Sequence, residues 1–153
     1  RLQHGYIEAE DLGLALIKFS NGAYGLIEGT TNVYPKNLEE TLYVFGEAGT
    51  VKVGGKSVNI IDEWSFADGK DDPEDIKSRY HETPKNIYGF GHTPLYRDVV
   101  SAIREGRNPL VDGRAGKSAV ELVLAIYKSS LEGRPVSLPL QDFSTSHMLG
   151  YFK

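Results

Sequence analysis

The chain has 153 residues, 40% of them hydrophobic and 25% charged, which is the length and composition of one globular domain able to bury a core. A formal net charge of −4 speaks against nucleic-acid binding, and no apolar run approaches the roughly 18 residues of a membrane span. Cysteine is absent, which excludes disulfides, thiolate zinc sites and a cysteine nucleophile, and a reducing cytoplasm is the natural location.

The N-terminus has neither an initiator Met nor an apolar signal segment, since the chain starts Arg1-Leu2-Gln3-His4. Such a start is typical of a cut through a longer polypeptide. We therefore expect residues 1–153 to be one domain of a larger protein.

Five strands are predicted in the first part of the chain. Residues 11–19 and 23–31 are apolar, β-branched runs joined by Ser20-Asn21-Gly22, and Asn-Gly supplies the positive φ angles of a tight hairpin turn. Three further strands are predicted at residues 40–45, 50–53 and 57–61, separated by Gly46-Glu47-Ala48-Gly49 and Gly54-Gly55. Together they predict an antiparallel meander.

The first strand is apolar on both of its faces. Alternation places Leu12, Leu14 and Leu16 on one face and Ala15, Ile17 and Phe19 on the other. An antiparallel sheet with one wet face alternates apolar with polar residues instead. We therefore expect a partner subunit or another domain to cover the second face.

Helices are predicted for the remainder of the chain. Residues 67–79 are dense in Asp, Glu and Lys and indicate a solvated loop or a short polar helix. A helix is predicted to begin at Thr93-Pro94, with Thr93 as the cap and Pro94 at the first helical position, and to end at Gly106. A second runs from about Arg114 to Glu132, before Gly133.

Two glycine-containing segments resemble nucleotide-binding loops only in part. Gly113-Arg114-Ala115-Gly116-Lys117-Ser118 lacks the first Gly of a phosphate-binding loop, because Val111 stands at that position. Gly89-Phe90-Gly91 begins a dinucleotide fingerprint but continues with His92-Thr93-Pro94. Both are interpreted as turns into helices.

The histidines do not form a metal-ligand pattern. No two of them stand at the i, i+4 spacing of a helical pair, the four being His4, His81, His92 and His147. His92 differs from the others because it follows two glycines at a predicted helix start. It either hydrogen-bonds its own loop or contacts a ligand.

Polar and aromatic residues lie together where the second strand ends, in the segment 28–35. Its Thr31, Asn32 and Tyr34 suit a polyhydroxylated ligand, because hydroxyls and amides hydrogen-bond sugar hydroxyls and an aromatic face packs on C–H edges. A turn at the end of a strand uses the same residue types, so both interpretations remain open.

Taken in order, these segments resemble the C-terminal domain of the Gfo/Idh/MocA family of NAD(P)-dependent oxidoreductases over nearly the whole chain. The residues that carry the resemblance are Glu10-Asp11 with Leu14–Phe19, Asn21-Gly22-Ala23, Gly46-Glu47-Ala48-Gly49-Thr50-Val51, Gly91-His92 with Arg97-Asp98-Val99-Val100, Ala102-Ile103-Arg104-Glu105-Gly106-Arg107-Asn108-Pro109, Val111-Asp112-Gly113, Ala125-Ile126-Tyr127-Lys128-Ser129-Ser130 and Gly133-Arg134-Pro135-Val136.

The resemblance implies an α+β fold with an open, mainly antiparallel β-sheet and C-terminal helices packed on one face. It also implies a preceding Rossmann domain that holds NAD or NADP, a substrate site at one edge of the sheet and subunit pairing through its face. The family's catalytic Lys in Glu-Lys-Pro and its Asp and His lie upstream, and this chain has no such motif. No catalytic, cofactor-binding or metal-binding residue is therefore assigned.

Two hypotheses follow. In the first, the parent enzyme transfers hydride between NAD(P) and a sugar, cyclitol or nucleotide-sugar, and this domain lines the pocket with His92, Tyr34, Tyr88 and Thr31 and forms a dimer or tetramer. The chain alone is then not expected to be active. In the second, it is a non-catalytic assembly or carbohydrate-binding module.

Overall fold

The computed structural model describes residues 7–84 and 88–152, which fall into two compact units. The first unit is Arg1–Val33 together with Val111–Lys153, and the second is Tyr34–Leu110. The elements in chain order are β1 Leu12–Lys18, β2 Tyr24–Thr30, β3 Leu42–Phe45, β4 Gly49–Gly54, β5 Ile60–Phe66, α1 Pro73–Arg79, α2 His92–Glu105, α3 Gly113–Glu132 and a short 3₁₀ helix at Thr145–Met148. The predicted α+β class and antiparallel pairing are confirmed.

In the first unit, β1 and β2 form the predicted hairpin. Phe19 N donates to Ala23 O at 2.9 Å and Gly22 N donates to Phe19 O at 3.0 Å, which closes the three-residue loop. Gly22 has a φ of 90°, a conformation that glycine adopts without a steric penalty. Asn21 Oδ1 accepts from Ala23 N, so both residues of the Asn-Gly pair serve the turn.

The two faces of this hairpin are both apolar, as predicted, but they differ in burial. Ala15 and Ile17 on one face are half-buried. The opposite face carries five exposed apolar residues beside Lys18, Glu28 and Thr30. We call these five the apolar hairpin face: Leu12, Leu14, Leu16, Tyr24 and Leu26. Its central cross-strand pair, Leu16 and Leu26, is 74% exposed on each side.

The strands belong to two sheets in the described part of the chain, so the expected continuous meander is wrong at the connection from β2 to β3. One sheet is β1-β2 and the other is β3-β4-β5 in that order. After β2, Thr30 Oγ1 and Asn32 Nδ2 both donate to the Asp11 carbonyl, which closes the strand end. Pro35 follows and has no N–H with which to continue a ladder.

The strand β5 runs from Ile60 to Phe66, later than the predicted residues 57–61. Ser57 N donates to Asn59 Oδ1 at 3.2 Å, and Val58 has a φ of 52° in the left-handed region. These residues therefore turn instead of extending. The sequence signal was ambiguous because polar and apolar residues alternate from Ser57 to Ile60.

Residues 67–79 of the second unit were predicted to form either a solvated loop or a short polar helix. The structure has a short polar helix there, α1. The helix α2 begins at His92 with Gly91 as its N-cap and no side-chain cap bond, so the predicted cap at Thr93 is wrong. Pro94 is the third helical residue, a position that tolerates proline because the first four helical N–H groups have no intrahelical partner. Gly106 ends the helix in the left-handed conformation, as predicted.

Helix α3 confirms the second predicted helix and explains the Gly-Lys-Ser segment. Asp112 is its N-cap, and the carboxylate accepts from Arg114 N and Ala115 N, each at 2.9 Å. The amides that a phosphate would use are therefore bound by a side chain of the chain itself. Gly133 ends the helix in the left-handed conformation.

The middle and later turns of α3 make polar contacts with other parts of the first unit. Tyr127 OH donates to Glu10 Oε1 at 2.5 Å, and Glu121 Oε1 accepts from Leu140 N at 2.7 Å. The bond to Glu10, together with desolvation, raises the pKa of Tyr127.

No helix of the described ranges has the length and apolar character that a bilayer crossing requires.

The connection after α2 is organised by Asp98. Its carboxylate accepts from Leu110 N at 2.6 Å and from Arg107 Nη2 at 2.8 Å. The Leu110 N–H, followed by the Arg107 guanidinium, holds the pKa of Asp98 below its ordinary value. One side chain thus fixes both ends of the loop that leaves the helix.

We expect Asp112→Ala to destabilise the domain by about 1 kcal/mol, because two amides of the first turn of α3 lose their acceptor. The urea midpoint for unfolding of this domain measures the change. Asp112→Asn is the matched control and should retain most of the stability, since asparagine also caps helices well. Equal losses in both variants would contradict the capping role.

Asp98 should make stability depend on pH in the acid range. A carboxyl whose native pKa is below its unfolded value of about 3.9 contributes fully above that pH, and the contribution is lost as pH falls through the native pKa. The stability advantage of the wild type over Asp98→Asn should therefore be constant near neutrality and shrink as the pH falls below the unfolded pKa of about 3.9. A difference that does not vary with pH would contradict this.

Candidate functional site

Two of the predicted site residues come together at the start of α2. The rings of Tyr88 and His92 meet edge to face, with centroids 6.2 Å apart and planes inclined by 68°. Both side chains are exposed, Tyr88 by 69%. We call them the Tyr88–His92 pair.

The turn that joins the two residues is built by glycine. Gly89 has a φ of 62°, a conformation in which most side chains are strained. Thr93 N donates to Phe90 O at 3.2 Å and Leu95 N to Gly91 O at 3.4 Å, so the chain passes directly from this turn into the helix. The interpretation of Gly89-Phe90-Gly91 as a turn into a helix is confirmed.

Sequence reasoning missed the contact between Asn59 and Glu82 in the same unit. Asn59 lies between β4 and β5, and its Nδ2 donates to Glu82 O at 2.7 Å. Glu82 N in turn donates to Asn59 O at 3.1 Å. The only available signal was an asparagine in a Gly-rich turn, a residue type that often bonds nearby backbone.

The other two predicted site residues are Tyr34, in the second unit, and Thr31, in the first. Tyr34 begins the second unit and its side chain is 92% exposed, so it makes little contact with its own unit. Thr31 belongs to the first unit, where its backbone N donates to Asp11 O at 3.0 Å.

The end of β2 has a structural use for part of its polar segment. Thr30 Oγ1 donates to Asp11 O at 2.8 Å and accepts from Asn32 N at 3.0 Å, while Asn32 Nδ2 donates to the same carbonyl. For Thr30 and Asn32, the interpretation as a strand-ending turn therefore accounts for the residue types. The side chain of Thr31 is exposed and takes no part in this network.

A shallow depression of about 270 Å³ lies elsewhere in the second unit, beside α1. Its lining consists of Trp64, Ser65, Phe66, Gly69, Asp71 and Pro73. Trp64 Nε1 donates to Asp71 Oδ2 at 3.1 Å, so the two groups best suited to hold a ligand bind each other. We assign no ligand to it.

The chemistry available at the Tyr88–His92 pair is recognition. A phenol ring offers an apolar face and a hydroxyl, and an imidazole offers one donor and one acceptor when neutral. Over residues 7–84 and 88–152, no three His, Asp or Glu side chains are grouped closely enough to hold a metal ion.

The direction of strand pairing tests whether the described residues fit a nicotinamide dinucleotide. All pairs among the described strands are antiparallel. The dinucleotide site of a Rossmann domain instead requires parallel strands joined by a helix, with the pyrophosphate at the helix N-terminus. The described residues therefore do not fit a nicotinamide dinucleotide site of that type.

The chain is similar to a known protein family and to solved structures. Residues 1–138 match the family model described as oxidoreductase family, C-terminal alpha/beta domain. The WlbA dehydrogenase from Bordetella pertussis, solved in complex with NADH and UDP-GlcNAcA, is 41% identical over 88% of this chain, with a TM-score of 0.76. The WlbA dehydrogenase from Chromobacterium violaceum, with the same two ligands, is 39% identical over 90% of this chain, with a TM-score of 0.70.

The matched structures are much longer than this chain, which spans 39% and 37% of their lengths. A search of curated proteins found no match. The family match over most of the residues agrees with the resemblance identified from the sequence. The chain belongs to the Gfo/Idh/MocA oxidoreductase family and corresponds to its C-terminal α/β domain.

Proposed function

We propose that this domain forms the substrate-binding wall of an NAD(P)-dependent oxidoreductase that acts on a nucleotide-sugar. The observation that carries the proposal is the exposed Tyr88–His92 pair at the start of α2. Two similar proteins are dehydrogenases solved with NADH and UDP-GlcNAcA, which supports a nucleotide-sugar over a free sugar or cyclitol.

The proposed roles follow from the side chains. His92 hydrogen-bonds a substrate hydroxyl or assists removal of its proton, and Tyr88 packs its ring against the apolar edge of the sugar or base. Tyr34 offers a second exposed ring for packing, and Thr31 a hydroxyl for a hydrogen bond. The domain thus binds and orients the substrate.

We propose that the cofactor, NAD or NADP, is held by a Rossmann domain on polypeptide outside residues 1–153. The strands that the structure describes are all paired antiparallel, and such a cofactor needs a parallel unit. A nicotinamide ring supplies hydride acceptance or donation, and the residues of this chain contribute the position of the substrate.

We further propose that the apolar hairpin face is buried between subunits of a homo-oligomer. Burying a fully exposed leucine side chain is worth roughly 1.5–3 kcal/mol, and Leu14, Leu16 and Leu26 are each more than half exposed. An uncovered apolar patch of this kind is a liability in a soluble protein. The same face is what favours the alternative, a non-catalytic assembly or carbohydrate-binding module.

In the full-length enzyme, His92→Ala should lower kcat/KM for UDP-GlcNAcA by about tenfold, the loss of one substrate hydrogen bond of roughly 1.5 kcal/mol. Steady-state kinetics with NAD measures the change. His81→Ala is the matched control, because His81 is an exposed histidine of the same unit. If kcat/KM is the same in both variants as in the wild type, the proposed pocket is wrong.

The double variant Leu16→Glu/Leu26→Glu should shift the full-length protein to a smaller oligomer, because it places two charges in the centre of the apolar hairpin face. Sedimentation velocity reports the change, with circular dichroism to check folding. Val123→Glu, at an exposed apolar position on α3, is the control. An unchanged sedimentation coefficient in a folded double variant would remove the assembly proposal.

A further inference from the structure

Glu10 and Asp11, the two residues immediately before β1, join helix α3 to the end of β2. Tyr127 OH on α3 donates to Glu10 Oε1 at 2.5 Å. Asp11 is only 5% exposed, and its carbonyl accepts from the backbone N of Thr31 at 3.0 Å. All four residues belong to the first unit. We call Glu10 and Asp11 the β1-entry junction.

The Asp11 carbonyl is a shared acceptor for the residues that end β2. Besides the Thr31 amide, it accepts from Thr30 Oγ1 at 2.8 Å and from Asn32 Nδ2 at 3.3 Å. Thr30 Oγ1 in turn accepts from Asn32 N at 3.0 Å. Three consecutive residues are thus bound to one carbonyl group, so a displacement of Asp11 would displace all three.

The bond between Tyr127 and Glu10 fixes the β1-entry junction to a long helix. The two residues are 117 positions apart, and both are half-buried, so water competes less for the bond than it would at the surface. A carboxylate acceptor makes a hydrogen bond roughly twice as strong as a neutral acceptor does. The bond also raises the pKa of Tyr127, so the phenol keeps the proton that it donates at neutral pH.

We propose that Tyr127 is a positioning residue for substrate binding: through the β1-entry junction it sets the place of Thr31, whose exposed side chain offers a hydroxyl to the substrate. Each step of this path is an observed hydrogen bond or the peptide bond between Glu10 and Asp11. The inference rests on the proposed function, because that function assigns Thr31 to the substrate site.

Tyr151 provides the matched control, because it is a second tyrosine of the first unit whose hydroxyl is bound to α3. Its OH donates to Ser130 O at 2.9 Å and lies 3.0 Å from Ser130 Oγ. Tyr151→Phe therefore removes a contact of the same kind from the same helix and leaves the bond to Glu10 in place.

Glu10 allows the same bond to be removed or kept from its other partner. Glu10→Gln keeps the oxygen that accepts from Tyr127, whereas Glu10→Ala removes it. Glu10→Ala should therefore reproduce the effect of Tyr127→Phe, and Glu10→Gln should retain most of the wild-type behaviour. The double variant Glu10→Ala/Tyr127→Phe should be little worse than either single variant, because both remove one bond.

The experiment uses the full-length enzyme with NAD and UDP-GlcNAcA. Tyr127→Phe should raise the KM for UDP-GlcNAcA roughly three- to tenfold and change kcat by less than about twofold, since it alters how the substrate is held and not the reacting groups. Hydrogen–deuterium exchange of peptides containing residues 30–32 should be faster, because the Thr31 amide loses a fixed acceptor. Tyr151→Phe should match the wild type in both measurements.

Three results would overturn the inference. Unchanged exchange over residues 30–32 in Tyr127→Phe would show that the β1-entry junction does not depend on the Tyr127 hydroxyl. Faster exchange with an unchanged KM would show that the end of β2 does not shape the substrate site. An equal rise in KM in Tyr151→Phe would show that a general loosening of α3 is responsible.

Thr31→Ala separates failure of this inference from failure of the proposed role of Thr31. A raised KM in Thr31→Ala with a wild-type KM in Tyr127→Phe keeps Thr31 in the pocket and rejects Tyr127. A wild-type KM in Thr31→Ala rejects the role of Thr31, and the inference is then wrong whatever Tyr127→Phe shows. In that case His92→Ala still tests the rest of the proposed pocket.

Discussion

Backbone polar groups at the ends of strands and helices must find hydrogen-bond partners, and in this domain Asp and Asn side chains supply many of them. Asp112 caps α3, Asp98 holds the loop after α2, and Asn59 ties the β4–β5 turn to Glu82. These side-chain hydrogen bonds matter because few apolar side chains are buried in the described residues. The buried ones are Ala102, Ala125 and Met148. Hydrogen bonds at the ends of strands and helices therefore fix the loop conformations that a large apolar core fixes in other domains.

The second consequence of the small core is apolar surface that remains uncovered. The two-stranded hairpin has apolar side chains on both faces, and its own unit covers one face only in part. The other face is left exposed, Leu16 and Leu26 above all. A domain built in this way is suited to be one part of an assembly. The same design leaves the start of α2 open, where an aromatic ring and an imidazole are available to a ligand.

Sequence patterns were informative wherever one residue decides a local conformation. Gly22, Gly106 and Gly133 all adopt positive φ at the predicted turn or helix end. Patterns failed where two local signals compete. Thr93-Pro94 has the chemistry of a helix start, yet Gly91 begins the helix earlier because a third-position proline costs no hydrogen bond. Alternation continued through Ser57–Ile60, yet Asn59 and Val58 turn the chain there.

By itself the sequence determined the α+β class, the hairpin, the C-terminal ends of α2 and α3, and the family. Periodicity, capping residues and motif order are all properties of neighbours along the chain. Only the tertiary structure decided that the strands form two sheets and that Asn59 reaches Glu82 across 23 positions. Contacts of that span depend on how loops close in space, and loop closure leaves no periodic signal in the residues that it brings together.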